Sequence, residues 1–179
     1  MKYLLFAGLL FLQNIAFSVS KSNWILKDSK IEFVIKNAKI NVNGNFTDLI
    51  ADINFDSKNL TSSFFEAQIL VNTIKTGIKL RDTHLQKSEY FDEKKFPKIN
   101  IKSSEIIKNE KGQLIAKCTL TIKGKTKDVL LPFTFTENNQ NGFFKGKLNI
   151  NRLDFDLGSP SIIMSNGLEI NIEVVCEKK

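Results

Sequence analysis

The sequence predicts an all-β protein, an eight-stranded antiparallel barrel or sandwich with a short helix inserted between the third and fourth strands. Three observations carry this expectation. Apolar residues recur at every second position through most of the chain. Clusters of Gly, Asn and Lys separate the alternating runs. One longer segment, 77–90, breaks the alternation with helical spacing.

The N-terminus stands apart from this pattern. Lys2 is followed by YLLFAGLLFLQNIAF, an apolar run interrupted by Gln13 and Asn14 and shorter than the roughly 20 residues a spanning helix needs. Ala16, Ser18 and Ser20 then supply small residues at the spacing a signal peptidase reads. Residues 1–20 are therefore expected to be a secretory signal peptide, cleaved near Ser18 or Ser20, and residues 21–179 the single folded domain. A periplasmic or secreted location follows, and no cysteine near the cleavage point offers a lipid anchor.

The first strand is read over 30–36, with Ile31, Phe33 and Ile35 on one face. The second spans about 42–56, and its parity changes between Phe46 and Leu49, which predicts a bulge or bend within 44–48. The third, 64–75, aligns Ala67, Ile69 and Val71; the fourth, 98–103, begins directly after Pro97. The fifth, 113–123, alternates most clearly, with Leu114, Ala116, Cys118, Leu120 and Ile122 sharing a face. A tight turn at 124–126 leads to the sixth strand (Val129, Leu131, Phe133, Phe135), and the turn sequence 138–142 to the seventh (Phe144, Leu148, Ile150). The eighth carries Leu168, Ile170, Ile172, Val174 and Cys176. Within 77–90, Ile78, Arg81, Asp82 and Leu85 predict a short helix ahead of a turn at 88–91, and so long an insertion is often functional.

The formal charge of +7 comes from lysines spread singly and alternating with apolar residues, as in Lys145-Gly146-Lys147-Leu148. That is the pattern of a solvated sheet face; nucleic-acid binding needs a concentrated basic stripe with interleaved aromatics, and none is present. Cys118 and Cys176 match no zinc spacing. In an exported protein they permit a disulfide, and a pair of free buried thiols is equally ordinary.

The one histidine, His84, lies in KLRDTHLQKSEYFDEKKFPKI. Asp82 is two residues away, a spacing that does not bring side chains together on a helix, so a His–Asp base is disfavoured. Arg81, Asp82 and His84 are read as groups locking the insertion, with Arg81 or Asp82 paired to strand ends and His84 bonded to backbone. The second polar motif, NRLDFDLGSP, holds too few oxygen ligands for calcium, and Arg152 is expected to pair with Asp82 or Asp154 at the rim. Ile162, Ile163 and Met164 behind it either fold onto the core or stand at a pocket mouth. No catalytic residue, metal site or cofactor is assigned.

Taken in order, five motifs resemble the YceI-like family of exported, lipocalin-like proteins. They are WILKDSKIEF (24–33), VNGNFT (42–47), TGIKLRDTHLQKSEYFD with FPKI behind it, LTIKGKTKDVLLPF (120–133) and NRLDFDLG (151–158). Asp156 stands where many members carry glycine, and Lys87 replaces the arginine usual there. The resemblance implies an eight-stranded antiparallel lipocalin-like barrel with a long pore. It implies binding of a polyisoprenoid or similar long-chain amphiphile without catalysis, and a homodimer. Separately, the mildly basic surface favours anionic lipid or diphosphate groups, so transient membrane contact is expected.

Alternation then nominates the pore lining: Phe33, Ile35, Phe46, Ile69, Val71, Ile101, Ala116, Cys118, Leu120, Leu131, Phe133, Phe144, Leu148, Ile170, Ile172 and Val174. Arg81, Asp82, His84, Arg152 and Asp154 are nominated for the structural motif or pore mouth. Small inward residues, Ala67, Ala116, Cys118 and Gly146, would leave room for a thin tail. The competing reading is a barrel filled by its own side chains, serving as a non-catalytic interaction or structural module of the cell envelope. A hydrolase or isomerase using His84 and Asp82 is the weakest.

Overall fold

A computed structural model describes residues 23–179, so the expected signal peptide at 1–20 lies outside the described residues. Nine strands follow in chain order: β1 Trp24–Asn37, β2 Ile40–Phe46, β3 Leu49–Asn54, β4 Phe64–Leu70, β5 Lys98–Lys108, β6 Leu114–Ile122, β7 Lys125–Asn138, β8 Asn141–Asn151 and β9 Met164–Lys178. All pairings are antiparallel and most join sequence neighbours; β1 also pairs with β3, and with β9 to close the sheet into a barrel. The helix α1, Lys79–Leu85, sits in the β4–β5 connection.

Nine strands and eight staves are reconciled at the expected bend. β2 pairs with the second half of β1 (Ile31↔Phe46 to Asn37↔Ile40), while β3 meets its start (Trp24↔Ile53). They are two halves of one stave, interrupted at Thr47-Asp48. Gly44 lies opposite Phe33, and a Cβ there would come within 2.2 Å of the Phe33 ring, so only glycine lets that ring lie across β2.

Two strands are longer than alternation suggested, each because of a bulge. β1 starts at Trp24 rather than Lys30, and its register with β9 slips between Leu26 and Asp28. β5 runs on past Ser103 to Lys108 after a slip between Ser103 and Glu105. A bulge inverts side-chain parity, which ends the period-2 signal before the strand ends. The third predicted strand is too long instead: β4 stops at Leu70, and Val71–Thr73 forms a 3-10 turn.

The strand directions define two ends. At one end Trp24, Phe55, Phe133, Phe135 and Phe144 close the interior, with Phe55 and Phe135 centroids 4.7 Å apart and Trp24 Nε1 donating to Phe55 O at 2.9 Å. At the other end lie the β1–β2 turn, the 71–97 insertion and the β8–β9 connection. The outward staves carry cross-strand ion pairs, among them Lys145–Glu173 at 3.0 Å, Lys147–Glu169 at 2.8 Å and Lys117–Glu105 at 2.7 Å. Exposed pairs of this kind contribute at most about 1 kcal/mol each, but they account for the singly spaced lysines.

Candidate functional site

Between the aromatic end and the insertion the barrel encloses a cavity of about 560 Å³. On β9 alone the lining runs from Met164 to Val174. At ~3.3 Å per residue and a strand tilt near 40°, that is a lumen roughly 25 Å deep. Its wall is apolar almost throughout. The polar members, Asn37, Thr76, Arg81, His84, Tyr90 and Arg152, all belong to segments at the insertion end. The site is thus an apolar shaft with its polar groups collected at one mouth.

Thirteen of the sixteen residues nominated from alternation line this cavity, and Val71, Ala116 and Cys118 do not. Val71 sits where the chain leaves the sheet: its N–H donates to Pro97 O at 2.9 Å and its side chain packs into the core at 1% exposure. Ala116 and Cys118 do point inward, but their short side chains are covered within the wall. Ile106 and Leu131, the Cα partners of Ala116, are the ones that reach the lumen. The width of the shaft is instead set by Ala51 and Ala67, paired on β3 and β4, and by Gly146 on β8. Leu49, Ala51 and Ile53, beyond the expected bend, also line the cavity but are absent from the nominated set, because the change of parity at Thr47-Asp48 breaks their alternation with Phe46.

The mouth is organised by two guanidinium groups. β8 runs into a 3-10 turn, Arg152–Phe155, whose first turn is capped by Asn151 Oδ1 accepting from Leu153 N–H at 3.1 Å. Arg152 is 2% exposed. It donates from Nη1 to Leu157 O (2.8 Å), from Nη2 to Ser159 O (2.8 Å) and Asn166 Oδ1 (3.3 Å), and from Nε to Ser165 O (3.0 Å). The expected ion pair with Asp82 or Asp154 is not formed. Asp154 is exposed on the turn, and loop carbonyls take the place of a carboxylate. Arg152 is therefore the hub around which 157–166 is wound.

Arg81 and Asp82 both hold Thr76. Arg81 donates from Nε to Thr76 Oγ1 and from Nη2 to Thr76 O, each at 2.7 Å, while Asp82 Oδ1 accepts from Thr76 N–H at 2.8 Å and from its hydroxyl. Lys75 beside it bridges to Asn45 at the end of β2, so the pair ties the helix to the barrel rim through one threonine. His84 does not bond backbone as expected. Its Nε2 lies 3.2 Å from Glu89 Oε2, and its ring meets Tyr90 edge-on at 5.3 Å. Tyr90 in turn packs against Gly158, where a Cβ would approach its ring to 2.8 Å, and Gly158 N–H donates to Glu89 O. Insertion and β8–β9 connection are thereby fastened together.

Asp82 is committed to Thr76, so it does not orient His84. Cys118 and Cys176 are free and buried, and burial pushes their thiols up to about 12 and about 11, away from the reactive thiolate. Among the described residues no group of three or more His, Cys, Asp and Glu side chains converges as a metal site would require.

Closed antiparallel sheet, apolar shaft and polar mouth together define a lipocalin-like barrel with an internal ligand-sized cavity. The YceI-like domain model matches residues 24–176, and the chain belongs to that family. A UPF0312 protein of Vibrio cholerae is 23% identical, covering 97% of this chain and 98% of its own; one from Yersinia enterocolitica is 29% identical over 80% and 78%. Among solved structures, Burkholderia cenocepacia BcnA superposes with a TM-score of 0.78 at 26% identity, covering 82% of this chain and 95% of that one. A Campylobacter jejuni YceI protein reaches 0.71 at 28% identity, covering 78% and 86%. A Saccharophagus degradans domain, itself described as polyisoprenoid-binding, shares the fold at 13% identity and a TM-score of 0.66, covering 88% and 98%.

Proposed function

We propose that this protein is a non-catalytic binding protein that holds a long-chain, isoprenoid-type amphiphile with its tail in the shaft and its polar head at the Arg81–Tyr90–Arg152 mouth. The observation that carries this reading is the segregation of the lining: apolar from the aromatic end upward, polar only at the insertion end, where Asn37 and Arg152 join the insertion's own groups. Membership of the YceI-like family and the shared fold of a polyisoprenoid-binding domain support it. A barrel filled by its own side chains would leave no 560 Å³ space, which disfavours the structural-module alternative.

The energetics suit a tail of some length. Burial contributes about 0.8 kcal/mol per methylene, so ten to fifteen carbons supply roughly 8–12 kcal/mol gross. Association costs about 4–15 kcal/mol, so shorter tails bind weakly. Export to the periplasm or beyond, through the N-terminal apolar run, belongs to the same proposal and places the protein among membrane-derived lipids. The test is mass spectrometry of organic extracts from protein purified without detergent. A long-chain amphiphile recovered in amounts comparable to the protein is expected. Repeated absence, with failure to take up an added polyprenyl or quinone-type lipid, would overturn the proposal.

A further inference from the structure

Among the described residues eight large apolar side chains are exposed, and five of them gather at the mouth: Ile40 (69%), Ile78 (53%), Leu80 (82%), Ile162 (104%) and Ile163 (60%). They sit on three neighbouring segments. Ala38 N–H donates to Ile163 O at 2.8 Å, Asn37 pairs with Met164, and Asn45 bridges to Lys75. Ile78 and Leu80 also line the upper lumen, so this apolar rim is continuous with the shaft.

Charge on these segments is one-sided. Stretches 35–46, 71–81 and 157–168 contain no Asp or Glu, although the chain holds 19. They carry the exposed lysines Lys36, Lys39, Lys75 and Lys79, none with an ion pair among the described residues. On the staves, by contrast, lysine after lysine is matched by a carboxylate. Exposed apolar tips ringed by unpaired lysines are the signature of a surface that sinks into the headgroup region of an anionic bilayer.

We propose that this rim docks the barrel, mouth down, on anionic membranes. Ile162, Ile163 and Leu80 enter the acyl boundary, and the four lysines meet the lipid phosphates. The shaft then opens directly onto the bilayer, and an apolar tail passes between them without crossing water. That last consequence rests on the ligand reading above; the docking itself does not.

The experiment is vesicle flotation of the full chain, comparing phosphatidylcholine vesicles with ones containing about a third phosphatidylglycerol. Binding to the anionic vesicles only, weakening with salt, is expected. At about fivefold per lysine, the Lys36→Ala, Lys39→Ala, Lys79→Ala variant binds roughly 100-fold more weakly. The Lys102→Ala, Lys117→Ala, Lys145→Ala control makes the same change in net charge away from the rim and binds nearly as wild type. Ile162→Ser with Ile163→Ser weakens binding about tenfold or more. Equal binding to neutral vesicles, or equal losses in rim and control variants, overturns the proposal. So does a dimer seen by light scattering that the isoleucine variant dissolves and that does not float with vesicles: the rim is then a face between two copies. Extracted lipid, measured on the same samples, keeps the two readings apart. Lipid-free protein that still floats refutes cargo binding alone, while lipid-loaded protein that never floats refutes docking alone.

Discussion

Replacing Arg152 by alanine removes a guanidinium that makes four hydrogen bonds to the 157–166 loop from a position 2% exposed. Leu157 is itself buried, so its carbonyl is left without a partner, at a cost of about 1–3 kcal/mol. The acceptors at Ser159, Ser165 and Asn166 lie on partly or fully exposed residues and can rehydrate, losing about 0.5–1 kcal/mol each. With some lost packing of the side-chain stem, the total is roughly 3–5 kcal/mol, a large share of a stability of about 5–15 kcal/mol. Urea unfolding followed by tryptophan fluorescence reads this directly: with a slope near 2 kcal/mol/M, the midpoint falls by about 1.5–2.5 M. Arg152→Lys keeps the charge but not the planar fork and recovers about half. Asp154→Asn stays within about 0.5 kcal/mol of wild type, because no ion pair joins it to Arg152. An Arg152→Ala midpoint within about 0.5 M of wild type, or an Asp154→Asn loss as large as that of Arg152→Ala, would refute the reasoning.

Two further predictions follow from the wall. Ala67→Trp places an indole across the shaft and lowers co-purified lipid several-fold while the barrel remains folded; Ala116→Trp instead overpacks the wall and costs about 1–3 kcal/mol of stability, so equal behaviour of the two would contradict the lining. Burial raises the folded-state pKa values of both thiols above that of an exposed cysteine, to about 12 for Cys118 and about 11 for Cys176. Above pH 9 the unfolded chain loses these protons first, so stability falls as pH rises from about 9 toward 11, by up to roughly 1 kcal/mol per unit for each thiol. A Cys118→Ala, Cys176→Ala variant, measured by the same denaturation at pH 8 and pH 10, lacks that part of the slope; an unchanged slope sinks the assignment.

Legibility in the sequence tracked how far period-2 alternation stays unbroken. β6 reads off correctly because Leu114–Ile122 pairs with β7 without a register slip. The bulges near Leu26 and Ser103 hide part of β1 and β5, since a one-residue insertion swaps the faces, whereas the break at Thr47-Asp48 is legible as the change of parity between Phe46 and Leu49. Alternation also says which face a residue takes but not how far its side chain reaches, so Ala116, inward yet overshadowed, could not be separated from Ala67. Arg152 was recognisable as a rim group, but its acceptors are mostly backbone carbonyls, which every residue carries and no motif marks. The unusual Asp156 has a plain backbone origin: its φ is 53°, a left-handed conformation that glycine adopts without strain.

β1 is bonded along both edges, to β2 and β3 on one side and to β9 on the other. The seam therefore joins Trp24 to Lys178, almost the full length of the described chain. A chain emerging N-terminus first has no partner for that edge until its last strand arrives. Until then two raw sheet edges and the whole apolar interior face the surroundings, as in any strand-edge template for aggregation. So distant a closure makes folding slow and late, in the manner of all-β proteins dominated by non-local pairing. Loss of even the final strand would leave an open, sticky sheet rather than a smaller barrel.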